Sequence, residues 1–134
     1  MLDFNNEIFT TAATAVRGNH VGTTVIGEYV RSPSKFPTVT IDETSNVMVD
    51  RLEDSSNEER FAGVIYRVQV FSNKQNGKKA EARAIFATVD AEMRKMGFRR
   101  VTYTTTPEIY ESTVYSITAT YEAVVSAAGY VYKR

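Results

Sequence analysis

The chain has 134 residues, enough for one domain with a core of its own. Sixteen Lys and Arg balance sixteen Asp and Glu, so the chain lacks the basic footprint of a general nucleic-acid binder. The absence of cysteine excludes disulfides, thiolate metal sites and cysteine nucleophiles together, and an apolar fraction of 43% excludes wholesale disorder.

In chain order, Asn5 or Asn6 can cap a first helix, because a short side-chain oxygen accepts an orphan backbone N–H. Ile8, Phe9, Ala12, Ala13 and Val16 form its apolar stripe, and Gly18 is expected to end it in a left-handed conformation. Val25, Ile26, Tyr29 and Val30 predict a short strand, which Ser32-Pro33-Ser34 breaks. Phe36-Pro37 opens another strand over 38–43, and residues 47–52 begin or extend a neighbouring strand. Residues 50–60 are the most polar stretch and read as a loop between strands.

Residues 60–72 alternate, with Ala62, Val64, Tyr66, Val68 and Val70 on one face and Ile65, Arg67, Gln69 and Phe71 on the other. Such a strand is about 40 Å long. The helix predicted over 78–96 spans about 28 Å. The strand should therefore overhang its helix or bend at Gly63, and an overhanging hairpin calls for a neighbour to bury it. The helix carries Ala82, Ile85, Phe86, Val89, Met93 and Met96 on one stripe, with Asn76 as the expected cap and Gly97 as the stop. Period two returns over 98–106 and 110–123, where Tyr115, Ile117, Ala119 and Tyr121 alternate with Val114, Ser116, Thr118 and Thr120. A last short strand is predicted over 130–133. The whole reads as a single α+β domain over 1–134, a mainly antiparallel sheet with two helices packed on it. The sheet should have about four to six strands.

Little in this pattern is catalytic. His20 is the only histidine, and it reads as a loop residue rather than a base or ligand. Asp50, Glu53, Asp54, Glu58 and Glu59 lack the spacing of a calcium loop. They fit a solvated hairpin tip, or an acidic docking surface that orders on a basic partner. Gly77-Lys78-Lys79 lacks the upstream glycine of a phosphate loop, since position 72 is Ser72. Those lysines sit poorly at the positive end of a helix, a cost that an acidic partner would relieve. No G-x-S-x-G elbow occurs, and Arg99-Arg100 and Lys133-Arg134 do not form an aromatic-interleaved basic groove in the sequence. No enzyme activity, cofactor or metal is expected. No apolar run reaches membrane-spanning length, and the acidic N-terminus has no basic flank of a secretory signal.

The order of elements is distinctive: a capped helix, a Phe-Pro-x-Val-x-Ile-x-Glu strand over 36–43, a polar hairpin, a long strand ending in Val68-Gln69-Val70-Phe71-Ser72, a Gly-Lys-led helix from Gly77, Met96-Gly97-Phe98, then two closing strands. This order resembles the small tail terminator (tail completion, minor capsid) proteins of long-tailed bacteriophages and prophages. The likeness covers nearly the whole chain and rests on order and size rather than on any single residue. It implies a virion structural protein that forms a hexameric ring on the last ring of the tail tube. The ring stops tube polymerisation and presents a surface to the head–tail connector protein. The implied partners are further copies of the chain, the tail tube protein and the connector. DNA passes through the ring without specific binding, and assembly takes place in the bacterial cytoplasm.

On this resemblance Asp50, Arg51, Glu53, Asp54, Glu58, Glu59 and Arg60 are expected to meet the tube or the connector. Tyr66, Arg67, Gln69, Phe71, Tyr115 and Tyr121, on the 60–72 and 110–123 strands, are expected to make subunit contacts, because an unpaired strand edge invites pairing with another chain. The alternatives are another head–tail joining protein (a head-closure or tail tube component), a small ligand-binding domain, or an enzyme with a carboxylate-only site.

Overall fold

A computed structural model describes residues 5–28, 33–48, 61–107, 114–126 and 131–132. The elements are α1 (Asn5–Asn19), β1 (Thr24–Ile26), β2 (Thr38–Met48), β3 (Phe61–Ser72), α2 (Lys78–Lys95), β4 (Arg99–Pro107), β5 (Tyr115–Ser126) and β6 (Val131–Tyr132). The strands form one six-stranded sheet in the order β1-β2-β3-β5-β4, with β6 paired to β5 beyond the start of β4. Among the described residues only the β1–β2 pair is parallel. The fold is α+β, with two helices and a mainly antiparallel sheet, as the periodicity predicts.

The helix-covered face follows directly from alternation. Ala62, Val64, Tyr66, Val68 and Val70 of β3 are buried, as are Ile117, Ala119, Tyr121, Ala123 and Val125 of β5. They meet Ala82, Ile85, Phe86, Val89 and Met93 from α2 and Ile8, Ala12, Ala13 and Val16 from α1 in one core. Burying each large side chain contributes roughly 1.5–3 kcal/mol. Ala62 and Val64 are closed off within the chain, so the expected overhang needs no neighbour on this face.

Local signals differ from expectation at two helix ends. α1 runs through Gly18 to Asn19, and the left-handed glycine is Gly22 in the following turn. Continued hydrogen bonding holds Gly18 in the helix: Asn19 Nδ2 donates to the Ala15 carbonyl at 2.8 Å, and the His20 amide donates to the Val16 carbonyl at 2.8 Å. At the start of α2 the cap is Gly77 itself, at φ 103°, not Asn76. The far end of α2 matches the reading. Gly97 takes φ 97°, its amide donates to the Arg94 carbonyl, and the Phe98 amide reaches back to the Met93 carbonyl, both at 3.0 Å. This paired closure with a left-handed glycine is the Schellman motif, and it turns the chain sharply into β4.

Candidate functional site between α2 and β4

The order of strands decides which surfaces are free. β3 lies between β2 and β5, and β5 lies between β3 and β4, so both are central. Their backbone edges are used inside the sheet, and the expectation that they lend an edge to a neighbouring subunit is corrected. Among the described residues the outer strands are β1, with three residues, and β4, with nine. β4 pairs only with β5 there, and a bulge at Arg100/Thr102 interrupts the ladder. Such an edge is the natural template for an added strand, and bulges and charges are the usual guards against unwanted pairing.

α2 crosses the sheet beside β4 without filling the space over it. The result is an open groove of about 520 Å³. Phe86, Tyr103 and Tyr115 form its aromatic floor, and Lys79, Arg83 and Arg100 stand on its walls. Phe86 meets Tyr103 edge-on with ring centroids 5.1 Å apart. Tyr103 remains 42% exposed, so a sizeable part of its ring faces solvent. Arg100 lies 5.8 Å from the centre of that ring.

One carboxylate, Asp90, lies among these cations, and it is already committed. Its Oδ1 accepts from the Tyr121 hydroxyl at 2.7 Å and from Arg100 Nη1 at 3.2 Å, while Arg94 Nη1 lies 3.9 Å from Oδ2. Burial, and then Asp90, push the Tyr121 hydroxyl pKa upward, outweighing the opposing pull of Arg100 and Arg94. Tyr121 therefore stays protonated and holds Asp90, which in turn fixes Arg100 on the groove wall. Lys79 and Arg83 are exposed and have no ion-pair or hydrogen-bond partner among the described residues. Three cations and one carboxylate leave the groove with a net charge of +2 on a chain whose net charge is zero.

The predicted contact residues scatter. Tyr66 and Tyr121 are fully buried, in phase with the core residues of their strands, and are not surface residues. The Tyr66 hydroxyl donates to Asn5 Oδ1 at 2.8 Å, and its ring packs edge-on against Phe98. Gln69 and Phe71 lie on the opposite sheet face but are buried there too. Gln69 Oε1 accepts from Thr40 Oγ1 at 3.0 Å. Arg67 is half-exposed on that face and pairs with Asp42 at 2.8 Å. Tyr115 is half-buried and reaches the groove. Asp50, Arg51, Glu53, Asp54, Glu58, Glu59 and Arg60 lie outside the described residues.

The rest of the outer face is a polar ladder. Thr102 and Thr120 share a 2.7 Å hydrogen bond, and Arg99 holds Glu122 at 2.6 Å. A shallow depression of about 210 Å³ near Val47, Gly63 and Ile65 leaves both branched side chains exposed. His20 hydrogen-bonds Thr88 at 2.8 Å and ties the end of α1 to α2, a structural use of the only histidine. Among the described residues no three His, Asp or Glu side chains gather to hold a metal, and no helix is long and apolar enough to cross a membrane.

The groove is what sequence reading missed. Lys79 and Arg83 are four residues apart on one helix face, which was visible. That Arg100 and Tyr103 stand opposite them depends on strand order, which was not. No protein-family model matches the chain, and no curated protein matches it.

Proposed function

We propose that the protein is a virion assembly subunit of the tail terminator kind: copies close into a ring on the end of a phage tail tube, stop its growth and offer a surface to the head connector. What carries the reading is the order of elements read from the sequence, which runs through the described fold from α1 to the closing strands. The site geometry supports a binding role. Among the described residues the groove joins an edge strand, exposed aromatic area and two cations, Lys79 and Arg83, without an ion-pair partner, all of which suit protein contact. A ring requires head-to-tail contacts, in which one patch meets a different patch.

A ligand-binding domain is the second reading, and the groove itself is what favours it. Its open shape and its place along a strand edge suit an extended chain better than an enclosed small molecule. A tube component fits less well, because tube proteins are mainly β and two helices pack here on one sheet face. The test is genetic. Deleting the gene from the phage or prophage that carries it should give overlong tubes without heads, and expression in trans should restore normal tails. Tubes of normal length joined to heads in the deletion strain refute the proposal.

A further inference from the structure

β4 is uncovered on both of its faces: every residue from Arg99 to Thr105 is exposed, whereas β5 beside it has no exposed residue among those described. Beyond the bulge its ladder with β5 is regular from Thr102 to Pro107. The edge that β4 turns away from β5 has no strand partner among the described residues. α2 runs alongside. Ser72 Oγ donates to Glu81 Oε1 at 2.7 Å, and Ser72 pairs with Tyr115, which pairs with Pro107, so the first turns of α2 stand level with the end of β4. At the other end of the groove Asp90 meets Arg100 at 3.2 Å. Lys79 and Arg83, without ion-pair partners among the described residues, therefore lie along the regular stretch of β4.

We propose that the α2–β4 groove is a docking site for an extended acidic segment of a different protein, which adds a strand to β4 and presents carboxylates at alternate positions to Lys79 and Arg83. This goes beyond the terminator reading and does not rest on it.

Spacing carries the argument. Lys79 and Arg83 are one helical turn apart, about 6 Å along α2. Alternate residues of a strand point to the same side about 6.6 Å apart. A strand laid on the edge of β4 therefore aims every second side chain at α2, and two successive ones meet the two cations. One position further along, Ala87 and the exposed ring of Tyr103 replace the cations, which suits an apolar side chain. At the far end Asp90 is already held by Tyr121 and Arg100, and it repels a third acid. The fitting pattern is acid-x-acid-x-apolar, read from the Lys79 end.

No extended segment of this sequence carries that pattern. Among its sixteen Asp and Glu, the one pair two residues apart is Asp90 and Glu92, and both lie within α2. The occupant is therefore a different protein rather than a second copy. Charge points the same way: the groove is positive on a chain whose net charge is zero. A single-stranded nucleic acid has phosphates for the cations but no amide backbone for a strand edge, and Asp90 opposes its approach.

NMR titration of the isotope-labelled full chain tests this with the peptide Ser-Glu-Thr-Glu-Thr-Leu-Ser and with its reverse sequence, because a strand can add in either direction. One of the two should shift amide resonances over 79–90 and 99–105. Replacing both peptide Glu by Gln should weaken binding by about tenfold or more, as should the K79E/R83E variant. Methylating the peptide's backbone amides should abolish binding, since the ladder to β4 is then lost. A peptide with Lys in place of both Glu should bind K79E/R83E in preference to wild type. Both substituted positions are exposed, and circular dichroism verifies the fold. Unchanged affinity of K79E/R83E or of the Gln peptide overturns the proposal, as does the absence of groove shifts with either sequence at millimolar concentration. Oligothymidylate that displaces the peptide with higher affinity overturns it in favour of a nucleic acid. Self-association of the free chain that K79E/R83E abolishes overturns it in favour of a second copy.

Discussion

Tyr121→Phe isolates the network that builds the groove wall. The ring is fully buried, and its hydroxyl donates to Asp90 Oδ1 at 2.7 Å. Phenylalanine keeps the packing and removes only the donor. A hydrogen bond to a charged group contributes about 1.5–3 kcal/mol. Asp90 keeps Arg100 at 3.2 Å and is 14% exposed, so its carboxylate is not stranded, and the loss should be about 2 kcal/mol. A chain of 134 residues unfolds with an entropy of about 0.28 kcal/mol/K. The melting temperature should therefore fall by about 7 °C. Denaturant titration of Y121F, D90N and the double variant measures the coupling directly. A loss below about 0.5 kcal/mol, or no coupling between the two changes, would show that the contact does not support the wall.

Four further outcomes follow. The pKa of Tyr121 is raised on folding, so its contribution to stability is complete below pH of about 10 and declines as pH rises beyond that. Urea midpoints from pH 7 to 11 should fall less steeply in Y121F than in wild type, and parallel curves would contradict this. Gly97→Ala forces a side chain into φ 97° and should cost about 1–2 kcal/mol in thermal melts. Phe86→Ala empties the junction of core and groove floor and should cost about 3–5 kcal/mol by denaturant titration. Arg67→Ala breaks a half-exposed pair with Asp42 and should cost less than about 1 kcal/mol, with self-association unchanged in sedimentation.

Much of the architecture was legible because burial imposes period. Tyr66 falls in phase with Val64 and Val68, and Tyr121 with Ala119 and Ala123, so alternation already marked both as core. Assigning them to subunit contacts let the interface habit of tyrosine outweigh the phase of its strand. Gln69 and Phe71 show the converse limit. Alternation places them on the second face but cannot say whether that face is covered. Gly18 and Asn76 are common stop and cap residues, yet the neighbouring hydrogen bonds and the left-handed Gly77 decided those ends.

Strand order was the larger gap. Chain neighbours pair readily, but placing β5 between β3 and β4 requires β4 to lie on the far side of its own successor. Among the described residues that arrangement leaves β4 at the edge of the sheet, and it sets Arg100 and Tyr103 across from Lys79 and Arg83. The unfavourable lysines at the head of α2 and the acidic stretch at 50–60 were each visible in the sequence.

The most direct measurement is the length of tail tubes grown in vitro from the matching tube protein, with and without this subunit, viewed by electron microscopy. Substoichiometric subunit should shorten the tubes and add ring-shaped density at one end only. Tubes of unchanged length with bare ends would contradict it.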